Sequence, residues 1–214
     1  MTRESGHAGT SRLIVLSGPT AVGKGTVEAA MKARHPQVWV SVSATTRASR
    51  PGEKDGVDYL FVSDNEFNAM KERGEFLENA VVHGMAQYGT PLQPVLDHLA
   101  AGVPTLLEID LQGARRVRQR AAELGLDVLS VFLAPPSFDD LVTRLTTRGT
   151  ETGEQKRARL ETARVELAAQ DEFDVVLVND QVETTAERLW ELIVREYGLN
   201  CLGQLKKNLK NNSK

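Results

Sequence analysis

The sequence predicts an α/β fold built on a doubly wound parallel sheet, and three observations carry that prediction. Short unbroken apolar runs recur along the chain, helical stretches lie between them, and a glycine-rich turn directly follows the first run. A strand buried on both faces of a parallel sheet has no polar side, so it reads as continuous apolar sequence. Strands that alternate with helices are joined by right-handed crossovers, which lay helices on both faces.

The first run, LIVLS at 13–17, ends in Gly18-Pro19. A helix is expected over about 24–34, with Val27, Ala30 and Met31 on one face. It must stop before Pro36, because the residue preceding a proline avoids helical geometry. Further strands are expected at 39–43 (WVSVS), 104–110 (PTLLEID), 127–134 (DVLSVFLA) and 174–180 (DVVLVND). Helices are expected over roughly 91–101, 111–124, 137–147, 154–170 and 184–197.

Residues 44–90 break this rhythm, with VDYLFVS at 57–63 and a helix at about 64–73. They predict a small mixed α+β insertion outside the parallel core. The polar stretch GTETGEQ (149–155) interrupts a helical region and reads as part of a mobile lid over about 144–160. The organisation that follows is a disordered arm (1–11), one domain (12–198) and a polar basic tail (199–214). Within the domain, the core comprises 12–42 and 91–198, and the insertion about 43–90.

A chain of 214 residues fits one domain, and a formal net charge of -3 gives no sign of nucleic-acid or membrane binding. Cys201 is the single cysteine, so no intrachain disulfide can form, which suits a reducing compartment. The start lacks the apolar stretch of a secretory signal, and no apolar run approaches the roughly 20 residues a membrane span needs. A cytoplasmic location is expected. The choice between monomer and homodimer stays open.

GPTAVGKGT, from Gly18 through Pro19, Thr20, Ala21, Val22, Gly23, Lys24 and Gly25 to Thr26, lies between the first strand and first helix. Glycines there let backbone N–H groups converge on phosphate oxygens, and the helix N-terminus adds a favourable dipole. Lys24 supplies a charge for the β- and γ-phosphates. The general motif places Ser or Thr directly after the lysine to bind Mg²⁺, whereas here Gly25 stands there and Thr26 follows.

Arg47 and Arg50, three apart, could fork onto a monophosphate, and Tyr59 could donate its hydroxyl to the same group. Glu108 and Asp110 close an apolar strand, where acidic residues face the ligand crevice of an open α/β sheet. Arg144 and Arg148 share one helix face, and Arg159 follows after the polar turn. Arg115, Arg116, Arg118 and Arg120 read as a solvated helix face.

SATTRASRPGEKDGVDY at 43–59 resembles the guanylate kinase signature, S-x-T-T-R-x-x-R-x-x-E followed by G-x-D-Y. GEFLE (74–78), YGT (88–90), EIDLQGA (108–114), FLAPPS (132–137), RLTTRGTET (144–152) and NDQ (179–181) extend the match over about 12–197. The resemblance implies a P-loop kinase core, with ATP as donor, GMP or dGMP as acceptor and Mg²⁺ as cofactor. It implies an acceptor site of Ser43, Arg47, Arg50, Glu53, Tyr59, Glu78, Tyr88, Thr90, Glu108 and Asp110. Glu78 would accept from guanine N1–H and N2–H₂, and Thr90 would donate to O6. It implies an ATP site of residues 18–26 with Arg148 and Asn179, Asp180 being a further candidate. Lys24, Arg47, Arg144, Arg148 and Arg159 would carry the chemistry, with Mg²⁺ near Thr26 and Asp110 through water. Asn79 departs from the tryptophan many members carry after the glutamate.

Overall fold

The computed structural model describes residues 12–82, 86–147 and 153–199. The expected arm at 1–11, the tail from 200 onward, Arg148 and the lid segment 148–152 lie outside these residues.

The core is a five-stranded sheet whose paired strands are all parallel, as expected. Its strands are β1 (Leu13–Ser17), β2 (Trp39–Val40), β7 (Thr105–Glu108), β8 (Val128–Ala134) and β9 (Val175–Val178), in the order β2-β7-β1-β8-β9. Between β2 and β7 the chain leaves this sheet to build β3 (Ala44–Thr45), β4 (Leu60–Phe61), β5 (Phe76–Val82) and β6 (Ala86–Pro91). The chain crosses from the centre of the core sheet in both directions, so β1 with its two neighbours forms a topological switch point. Ligand crevices open there, beyond the carboxyl ends of the strands.

Both faces of the sheet are covered, and β1 shows why its sequence is unbroken. Ile14 and Leu16 point into a core shared with α1 (Lys24–Arg34), α5 (Phe138–Thr147), α6 (Gly153–Ala168) and α7 (Val182–Glu196). Leu13 and Val15 point into a second core with α3 (Leu92–Ala100) and α4 (Leu111–Leu124). All four side chains are essentially fully buried.

The insertion is a four-stranded mixed sheet, order β4-β3-β6-β5, in which β3 and β4 run parallel and the other pairs antiparallel. Helix α2 (Asp64–Glu72) covers it through Phe67, stacked on Phe76. Ser63 caps α2, its hydroxyl accepting Glu66 N–H at 3.2 Å. Leu77 instead enters the main core, which fastens the small sheet to α4.

Several boundaries differ from the sequence reading. The strand expected at 39–43 spans only Trp39–Val40, because the chain then turns toward the small sheet, although Ser41 N–H still reaches Leu106 O at 2.9 Å. Of 57–63 only Leu60–Phe61 is strand, because Asp55 and Asp58 accept backbone N–H groups of Phe61 and Lys54 and fold the preceding residues into a turn. The β5–β6 hairpin lies where no strand was drawn. Its sequence lacks clean alternation because β5 faces two different cores. On α4, Arg115 pairs with Glu172 and Arg118 donates to the Glu172 carbonyl, so the arginine face is partly a brace.

Candidate active site

The phosphate loop follows β1 at the switch point. Gly18 has φ +149, and a Cβ there would lie 2.3 Å from the Leu133 carbonyl oxygen, so only glycine fits beside β8. Ala21 holds φ 64, unusual for a residue with a side chain. Lys24 opens α1, and its Nζ donates back to Gly18 O at 2.7 Å and Pro19 O at 3.4 Å. Burial pushes the Lys24 ammonium below its usual range, while the charges of Glu108, Glu166 and Asp110 pull the other way. Gly25 also has a local reason: a Cβ would approach Glu108 Oε2 to 3.3 Å. The position that carries a hydroxyl in the general motif is thus crowded by a carboxylate.

A cleft of about 270 Å³ joins this loop to the insertion. Lys24, Ser43, Tyr59, Glu78, Tyr88, Glu108 and Asp110 line it together. Residues from the core and the insertion, as far apart as Ser43 and Asp110, therefore face a single space.

Arg47 sits beside this cleft in a defined pose. Its guanidinium makes two hydrogen bonds to Glu53 (2.8 and 2.9 Å), and Nε donates to the Tyr88 hydroxyl at 3.2 Å. Its Cζ lies 5.0 Å from the Tyr59 ring centroid, in cation–π range. The Arg47 bonds pull the Glu53 carboxyl down to about 2, with the Arg50 backbone N–H also contributing. Glu53 therefore orients Arg47. Glu53, expected in the acceptor site, stands beside it through Arg47. Arg50 is exposed and joins the site through its backbone N–H, which donates to Glu53 at 2.7 Å.

Glu78 and Thr90 meet across the β5–β6 hairpin. Thr90 Oγ1 donates to Glu78 Oε1 at 3.0 Å, and both side chains are buried. Burial raises the Glu78 carboxyl above its usual range, and the Thr90 hydrogen bond offsets this in part.

Asp110 has two roles. It is the N-cap of α4, with Oδ1 accepting Gly113 N–H at 2.6 Å, and it also lines the cleft. Thr26 lines a different, outer cavity with Arg144, Asn179 and Asp180. The two residues expected near a metal are thus not brought to one wall. Among the described residues no cluster of three His, Cys, Asp or Glu side chains could hold a metal ion.

In the outer cavity Arg144 donates to Val22 O and Asn179 O, both at 3.0 Å. Asn179 Nδ2 donates to Val22 O at 2.8 Å, whereas its buried Oδ1 has no hydrogen-bond partner among the described residues. Arg144 thus braces the loop and walls this cavity. Arg159 lies on α6, half-buried.

Two carboxylates escaped the sequence reading. Glu166 of α6 is 8% exposed, and its Oε2 accepts the Thr20 N–H of the phosphate loop at 3.2 Å. Burial raises its pKa. Glu28 of α1 is pushed up to about 8, first by burial and then by the charge and hydrogen bond of Glu108. Only the odd presence of Glu among the inward positions Leu160, Ala163 and Leu167 of α6 could have drawn notice to Glu166.

The family model for guanylate kinase matches residues 10–196. The chain is 68% identical over 196 residues to a guanylate kinase of Bifidobacterium longum, covering 92% of this chain and 99% of that protein. It is 58% identical over 182 residues to a guanylate kinase of Frankia casuarinae, covering 85% and 96% respectively. The crystal structure of guanylate kinase from Anaplasma phagocytophilum superposes with a TM-score of 0.71 at 34% identity, covering 90% of this chain and 89% of that one.

Proposed function

The chain belongs to the guanylate kinase family, whose members move the γ-phosphoryl group of ATP to GMP, and from that premise we propose how its residues divide the work. The observation that carries the proposal is the shared cleft: Lys24 of the phosphate loop and Ser43, Tyr59, Glu78 and Tyr88 of the insertion line one space. A donor phosphate and an acceptor phosphate held there can meet in line.

Backbone N–H groups of the 18–26 loop other than that of Thr20, which Glu166 accepts, hold the phosphates of ATP, and Lys24 turns from its carbonyl partners to the β- and γ-oxygens. Adenine lies in the outer cavity between Arg144 and Asn179. Asn179 and Asp180 form the wall of that cavity beside the last core strand. GMP lies in the cleft, with its phosphate on Arg47, Tyr59 and Tyr88, aided by Arg50 and Ser43. Its guanine edge is on Glu78 and Thr90. A site built around that carboxylate rejects AMP, whose N1 is an acceptor. dGMP fits the same contacts.

A phosphate oxygen of GMP attacks the γ-phosphorus, and the ADP oxygen leaves from the opposite side. Charge spreads over the equatorial oxygens, so positioning and electrostatics supply most of the acceleration. Lys24 and Arg159, with Arg148, hold that charge, Arg144 acts through the loop it braces, and no covalent intermediate or histidine base is needed. The oxygen donors near Lys24, Glu108 and Asp110, suit a hard cation that keeps its waters. Mg²⁺ would lie mainly on the nucleotide phosphates, with Asp110 reaching its waters and Thr26 facing the nucleotide, and it would neutralise phosphate charge there. Among the described residues no helix is long and apolar enough to cross a membrane, and a cytoplasmic setting fits this chemistry.

The test is a coupled assay of ATP against a panel of monophosphates. ADP is expected to form rapidly with GMP or dGMP and negligibly with AMP, CMP or UMP. Folded protein without GMP-dependent ADP formation would mark a non-catalytic binding module instead. A finer expectation concerns Glu53. In Glu53→Gln the two charge-assisted bonds to Arg47 weaken, so KM for GMP should rise about fivefold while KM for ATP stays level. Equal shifts in both constants would remove Glu53 from the acceptor side.

A further inference from the structure

Glu166 has no part in the transfer described above, yet it touches the phosphate loop. Its buried carboxylate accepts Thr20 N–H at 3.2 Å. On α6, Arg159, Ala163 and Glu166 are spaced i, i+4, i+7 and so share one helix face. Ala163 is fully buried in the main core, so this face turns inward. One end of α6 is thereby fastened to the loop, while Arg159 stands about 10 Å further along the same helix.

A carboxylate beside a phosphate-binding loop is at first sight a poor choice, because like charges repel. What the position requires is an oxygen that can reach the amide, since a buried N–H without an acceptor is costly. Burial raises the Glu166 pKa, and Lys24 lies close enough to counter its charge, while Asp110 adds to the raising. The carboxyl oxygen accepts from Thr20 whether or not the group carries charge.

We propose that Glu166 is a positioning residue for ATP: its oxygen fixes the Thr20 amide, and so the set of the phosphate loop, against the helix that carries Arg159. This rests on reading residues 18–26 as the ATP site. The attribute that matters is acceptor reach, and two near-isosteric variants separate it from charge. Glu166→Gln keeps the oxygen at the same distance without charge, whereas Glu166→Asp keeps charge but falls one methylene short.

The experiment is calorimetric titration of each full-length variant with ADP and separately with GMP, followed by steady-state kinetics. Glu166→Gln should bind ADP within about twofold of the parent, and Glu166→Asp about five- to tenfold more weakly. GMP affinity should be unchanged in both, and KM for ATP should follow the ADP result. Parent-like ADP binding by Glu166→Asp overturns the proposal, as does equal weakening in Glu166→Gln. Parallel loss of ADP and GMP affinity overturns it too, because that marks general loss of structure. A parent protein that binds ADP but does not phosphorylate GMP sinks the transfer mechanism while leaving the ADP comparison valid.

Discussion

Lys24→Ala is expected to lower kcat by about two to three orders of magnitude while GMP still binds with near-parental affinity. The ammonium is the loop's only side-chain cation, and three carboxylates, Glu108, Glu166 and Asp110, act on it. Its removal leaves those carboxylates uncompensated beside a polyphosphate. The transferring group then loses the donor aimed at its developing charge. The residues proposed to hold GMP, Arg47, Tyr59, Glu78 and Thr90, are not bonded to Lys24, so the GMP dissociation constant should stay within about twofold. Single-turnover kinetics and GMP titration check both halves. Near-normal kcat would remove Lys24 from the chemistry, and a matching loss of GMP affinity would mean the cleft had collapsed.

Glu78→Gln is expected to cut the preference for GMP over AMP by about 1–3 kcal/mol, or roughly 5- to 150-fold in the ratio of kcat/KM values. The amide presents a donor where guanine also presents donors, and adenine N1 gains a partner. The pH dependence follows from the same residue. Burial raises the Glu78 carboxyl above its ordinary range, so protonation begins at a higher pH than for an exposed glutamate. As pH falls through that raised value, kcat/KM for GMP should drop, and this acid limb should vanish in Glu78→Gln. Stability runs the opposite way. A carboxyl whose folded pKa is raised contributes stability present below its unfolded pKa and lost as pH climbs through the folded value. The parent Tm should therefore decline over that window, and the decline should be smaller in Glu78→Gln. An unchanged nucleotide ratio would take Glu78 out of the guanine site.

The extent to which the sequence foretold these groups depends on whether each role is local. Lys24, the loop around it and the parallel strands were legible because spacing and apolar runs encode them directly. Arg47 drew notice in the sequence by its spacing from Arg50, but its bond to Tyr88, 41 positions away, was not legible there. The signature put Glu53 in the acceptor site, and only the structure shows its ion pair with Arg47. The β5–β6 hairpin escaped because its residues serve two cores and so lose the period of two. Gly25 looked like a departure from a motif until Glu108 was found against it.

Fold class, phosphate loop and family were readable before any coordinates, since these rest on local spacing, burial periodicity and contiguous signatures. Only the tertiary structure decided that Lys24 and the insertion share one cleft, that Arg144 walls a separate cavity, and that Glu166 reaches Thr20 from 146 positions away. The reason is physical. Backbone geometry limits what neighbours in sequence can do, whereas a contact between distant residues exists only once the sheet has set their separation. A buried carboxylate acquires its meaning from that separation alone.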